Sequence, residues 1–88
     1  MRTTKELLKQ AKKLIDKPQK WCRGTSSIRN RHCAVGAIWA VSGFDTSSSA
    51  RAERSLLKFL PKMFESITEF NDASSHKDVM KLFAKAIR

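Results

Sequence analysis

Eighty-eight residues, 41% of them apolar and 30% charged, make one domain with a small core and exclude wholesale disorder. Three Gly, two Pro and no apolar run near the ~18 residues that span a bilayer exclude a turn-rich β fold and a membrane-spanning helix. The net charge of +10 is uneven: residues 1–31 hold ten Lys/Arg against Glu6 and Asp16, so +8 of it lies there.

Thr3-Thr4-Lys5-Glu6 opens the first predicted helix, with Thr3 as N-cap and Glu6 as its capping-box partner. Leu7, Leu8, Ala11, Leu14 and Ile15 fall on one core-facing stripe, and Arg2, Lys5, Lys9, Lys12 and Lys13 on the opposite side. Pro18 ends this helix near Asp16, because the residue before a proline is pushed out of the α region.

Residues 18–31 read as a loop marked by Gly24 and hydroxyl residues, with Trp21 pinning it to the core. Cys33 to Val41 then holds no charged side chain. A helix apolar on every side has to be surrounded, so this segment is expected as a buried central helix with Gly43 as its left-handed C′ residue. Leu56, Leu60, Met63, Ile67 and Phe70, widened by Leu57 and Phe64, predict two helices over roughly 48–60 and 61–70, with Pro61 in the first turn of the second. Asn71 and Asp72 close that element, where their side chains can satisfy orphan backbone groups and offer the buried Trp21 indole an acceptor. Ser75, with Asp78 three residues on, caps a last helix whose stripe is Val79, Leu82, Phe83, Ala86 and Ile87. The fold expected is all-α: a single small domain of four to five short helices around the 33–41 segment, with no strand alternation.

Four pieces then stand in order: Trp21-Cys22-Arg23-Gly24, Cys33-Ala34-Val35-Gly36-Ala37-Ile38, Phe70-Asn71-Asp72-Ala73, and Val79 through Leu82-Phe83 to Ala86-Ile87. From Trp21 onward the chain resembles a family of small bacterial and phage proteins of unknown function. That family has a W-C-x-G element, a C-A-x-G-A helix, an aromatic-N-D turn and a closing helix ending in A-I. The resemblance implies a compact helical domain and no established activity.

Chemistry could reside in three places. Cys33 opens a helix whose positive end would lower a thiol pKa, with His32 or His76 as base and Asn71 or Asp72 orienting it. It also opens the most apolar segment of the chain, so packing accounts for it and no catalytic residue is expected. Cys22, His32, Cys33 and His76 have zinc-type side chains at spacings unlike those of zinc sites, so neither metal nor other cofactor is expected. Charge is the remaining signal. Lys5, Lys9, Lys12 and Lys13 on the first helix, with Lys20, Arg23, Arg29 and Arg31 in the loop, are the candidate contacts for a polyanion. Thr25, Ser26, Ser27 and Asn30 add neutral donors suited to phosphate oxygens.

The expected function is a non-enzymatic binding protein that meets nucleic acid, DNA or RNA, mainly through its phosphates. A helix-turn-helix reader is not expected, because the 18–31 loop far exceeds the about three or four residues of that turn. The alternative is an accessory or inhibitor protein that docks on an acidic protein surface, for which Phe44 or Ile28 left uncovered beside the basic face would be the correlate. Neither a small-molecule substrate nor a membrane partner is expected. With no signal-peptide h-region, the chain is expected in the cytoplasm with Cys22 and Cys33 reduced.

Overall fold

Five helices in chain order build the core: α1 (Thr4–Leu14), α2 (Ala34–Val41), α3 (Thr46–Leu57), α4 (Ile67–Ala73) and α5 (His76–Ile87). The computed structural model describes residues 3–24 and 27–88. Arg2, Thr25 and Ser26, named above, lie outside the described residues. No described helix is long and apolar enough to cross a membrane.

Local chemistry sets most helix starts. The Thr3 hydroxyl accepts from the Glu6 N–H at 3.1 Å and the Ser75 hydroxyl from the Asp78 N–H at 3.2 Å, as the sequence predicts. The apolar stripe of α1 buries Leu7, Leu8 and Ala11, and Ile15 just beyond it. α5 buries Val79, Leu82 and Phe83. Helices α1, α3 and α5 meet pairwise, so Leu8, Ile15, Leu56, Val79 and Phe83 form one cluster. Full burial of each large side chain stabilises the fold by roughly 1.5–3 kcal/mol.

α2 ends in a complete Schellman closure. Gly43 stands at C′ with φ +68°. Its N–H donates to the Ala40 carbonyl at 3.4 Å, and the Phe44 N–H to the Trp39 carbonyl at 3.0 Å. The Trp39 and Phe44 rings lie 6.3 Å apart, supplying the apolar contact that accompanies this motif. Phe44 is 73% exposed and held at φ +63°, so its position is accounted for within the helix end.

Four expectations need correction. The central helix is enclosed on one side only: Ala34, Gly36, Ala37 and Ile38 are buried, whereas Val35, Trp39, Ala40 and Val41 are half-exposed. Its partners α1, α3 and α4 cannot encircle a helix of two turns. The segment 58–66 is not helical, and Pro61 lies in a turn whose carbonyl accepts the Phe64 N–H at 3.0 Å. The chain re-enters a helix only at Ser66, whose hydroxyl accepts the Glu69 N–H at 3.1 Å, an S-x-x-E start that the apolar periodicity masks. Asp45, earlier than expected, caps α3 by accepting from the Ser48 N–H at 3.3 Å.

The loop also holds a small antiparallel hairpin where no strand was expected. Strand β1 (Ser27–Ile28) pairs with β2 (Arg31–His32) in the register Ser27 to His32 and Ile28 to Arg31. Arg29 turns it with φ +55°, a left-handed conformation uncommon outside glycine and asparagine.

Candidate polyanion-binding surfaces

A clasp between the 21–24 segment and the α4–α5 junction fixes where the cationic loop lies. The Trp21 indole N–H donates to Oδ1 of Asn71 at 2.7 Å, and the Ala34 N–H donates to the same oxygen at 3.0 Å. Asn71 Nδ2 donates to the Cys22 carbonyl at 3.0 Å. The asparagine is fully buried, and through these bonds it joins the loop, the first turn of α2 and α4. Asp72 accepts from the Gly24 N–H at 2.9 Å, where Gly24 is left-handed at φ +77°. His76 Nε2–H donates to the Ile15 carbonyl at 2.6 Å, satisfying a group at the end of α1, and its ring lies 5.8 Å from that of Trp21. The expected partnership of Trp21 with the Asn-Asp pair is therefore real. Its reach to the α2 N-terminus was not foreseen.

Arg23 belongs to this clasp. Its guanidinium donates to the Ser74 carbonyl and lies 5.1 Å from the Trp21 ring centroid, a cation–π distance. It remains exposed, but its hydrogen bonding is directed to the fold.

The other basic candidates form two surfaces. Lys9, Lys12 and Lys13 line a groove of about 450 Å³ between α1 and α5, with Asp16, Ala84 and Ile87. Lys5 is exposed one turn before Lys9 on the same helix. Among the described residues none of these lysines is drawn into an ion pair with a carboxylate. Arg29 and Arg31 line a separate cleft of about 510 Å³ at the hairpin, with Gln19, Ile28 and Asn30. Lys20 is exposed in the short 3-10 turn at Pro18–Lys20, which packs beside β2.

The cysteines lie inward. Cys22 and Cys33 are buried thiols, brought side by side because the Cys22 N–H donates to the His32 carbonyl at 3.1 Å. Burial pushes the Cys22 thiol above its ordinary range, and neighbouring Cys33 adds to the shift. Cys33 caps α2, its sulfur accepting from the Gly36 N–H at 3.3 Å. His32 engages Ser27 through Nδ1 at 2.7 Å, so the sequence neighbour of Cys33 is tied into the hairpin. Among the described residues no three His, Cys, Asp or Glu side chains gather as a metal site.

Fold and surfaces together define a small, mainly all-α domain with cationic grooves on its exterior. The chain belongs to a family of unknown function, DUF6197, whose model matches residues 1–88. The match takes in the basic first helix, which the sequence resemblance left out. No curated protein and no solved structure matches the chain.

Proposed function

We propose that this chain is a small non-enzymatic binding protein that holds a polyanion, the phosphate backbone of DNA or RNA, in the groove between α1 and α5. The hairpin cleft is a second contact. The observation that carries this reading is the convergence of Lys9, Lys12 and Lys13 on one groove with Asp16 as its single carboxylate. Three ammonium groups against one carboxylate leave a net positive potential that phosphates would relieve, releasing counterions as they do so. The cytoplasm is the compartment we assign, where buried thiols stay reduced and nucleic acid is present.

The test is fluorescence anisotropy with labelled single-stranded DNA, duplex DNA and RNA over a salt series. Affinity should fall steeply with salt, and Lys9→Ala/Lys12→Ala/Lys13→Ala should lower both affinity and slope. Binding that ignores salt, or that survives the triple variant unchanged, sinks this reading. One observation favours an acidic protein surface as the partner instead: Ile28 is 53% exposed between the cations of the hairpin cleft. No nucleic-acid binding at low salt would transfer the proposal to that partner.

A further inference from the structure

We propose that the apolar cleft between the 58–66 segment and helices α4 and α5 docks an acidic amphipathic segment of a partner protein. The segment would present two or three apolar side chains flanked by Asp or Glu. The site is separate from both cationic surfaces and does not depend on the polyanion reading.

The cleft measures about 320 Å³. The 58–66 segment supplies Phe59, Pro61, Met63 and Phe64, and the helices supply Phe70 and Leu82. Phe64 packs edge-on against Phe70 at 5.2 Å, which closes the floor. Leu60 packs against the core, whereas Met63, 79% exposed, and Phe59, 45% exposed, stay open to water. The turn at Pro61–Phe64 and the hydrogen bond from the Phe59 N–H to the Leu56 carbonyl at 3.0 Å hold the segment locally. A thioether beside aromatic rings is an adaptable surface for apolar anchors.

Charge selects the occupant. Lys81 and Lys85 stand one turn apart on the α5 side of the cleft, and exposed Lys62 lies between Pro61 and Met63. Asp78 is the one carboxylate in the lining. Carboxylates flanking an apolar anchor would pair with these lysines, whereas a basic segment would be repelled. A second copy of this chain carries the same net +10 and is disfavoured for that reason. A nucleic-acid backbone would leave the apolar floor unused. At 100° per residue, Lys81 and Lys85 point roughly a third of a turn away from Ala84 and Ile87, so α5 serves the two sites with different faces.

The experiment is selection of a displayed random-peptide library on the full chain, with enriched peptides then synthesised and titrated by fluorescence anisotropy. Enriched sequences should combine Leu, Ile, Phe or Met with Asp and Glu. Met63→Glu and Lys81→Glu/Lys85→Glu should each weaken them by about tenfold or more, the scale of one lost anchor or desolvated pair. Met63 is so exposed that its substitution should leave the circular dichroism spectrum unchanged, and Lys9→Glu/Lys13→Glu should leave peptide affinity unchanged. Three outcomes overturn the proposal: no enrichment, enriched peptides without acidic residues, or affinities indifferent to Met63→Glu. Sedimentation showing a dimer that Met63→Glu converts to monomer would also overturn it, by making a second copy the occupant.

Discussion

The indole nitrogen of Trp21 stands 2.7 Å from Oδ1 of Asn71, a residue fifty positions later in the chain. That oxygen also takes the first N–H of α2. One buried amide therefore fixes the loop, the central helix and α4 together. Asn71→Ala would leave the Trp21 and Ala34 donors and the Cys22 carbonyl without this partner, at about 3–4 kcal/mol in total. Asn71→Asp restores the acceptors but not the donor, and sets a carboxylate beside Asp72, so it should be nearly as damaging. Trp21→Phe loses a single bond and should cost about 1 kcal/mol beyond its lost packing. Urea unfolding of the three variants checks the order, which would be wrong if Trp21→Phe were the most damaging.

Arg23 separates folding from binding. With its guanidinium on the Ser74 carbonyl and over Trp21, Arg23→Ala should lower the thermal midpoint while polyanion affinity changes little. Lys9→Ala/Lys12→Ala/Lys13→Ala should do the reverse, and the slope of log K against log salt should become shallower by about 0.9 for each duplex phosphate no longer neutralised. Paired melting and anisotropy series on the two variants provide the comparison.

The hairpin turn sets stability against charge. Arg29 adopts φ +55°, which costs an ordinary side chain about 1 kcal/mol and an asparagine less. Arg29→Asn is therefore expected to raise stability by several tenths of a kcal/mol while weakening polyanion binding at the hairpin cleft. A variant that melts earlier than the parent would contradict this account of the turn.

Two carboxyls give opposite pH signatures. The Asp45 carboxyl is held below its ordinary range, first by the Ser48 hydroxyl, so its contribution is present above the unfolded-state pKa of about 4 and is lost as pH falls through the lower folded value. Asp45→Asn should accordingly be less stable than the parent near neutrality, with the gap closing in acid. Burial raises the Glu53 carboxyl, so its cost appears as pH rises through the folded value. Glu53→Gln should thus gain on the parent at neutral pH and not in acid. Denaturant midpoints of both variants between pH 2 and pH 7, a window chosen to bracket the reference carboxyl values of about 4, test the two signs.

Iodoacetamide tests the interior. Cys22 and Cys33 are both buried, and the Cys22 thiol is held in its protonated form by that burial. Labelling at neutral pH should be slow in the native chain and rapid in urea. Fast native labelling of Cys33 would revive a nucleophilic role for it.

Helix starts at Thr3 and Ser75, the Gly43 stop and the stripes of α1 and α5 were legible in the sequence. Each depends on groups within about five positions, whose geometry the helix itself supplies. The 58–66 segment misled because Leu60, Met63 and Ile67 keep helical spacing across a proline. The N-cap at Ser66, whose hydroxyl accepts the Glu69 N–H, competed with that periodicity and won. The partnership of Trp21 with the Asn71-Asp72 pair was legible because a buried indole N–H demands an acceptor, although both residues lie in the last turn of α4 and not beyond it. Nothing local could show that the same oxygen would also take the Ala34 N–H.

By itself, then, the sequence determined a mainly all-α domain, the starts of α1 and α5, the Gly43 stop of α2, and the amount and sign of its charge. Only the tertiary structure decided how that charge is apportioned. It set Lys9, Lys12 and Lys13 on one groove, Arg29 and Arg31 on another, and Arg23 against the fold. The reason is physical: a cap is made within one turn of chain, whereas a groove exists only once helices distant in sequence pack and bring their outer faces side by side.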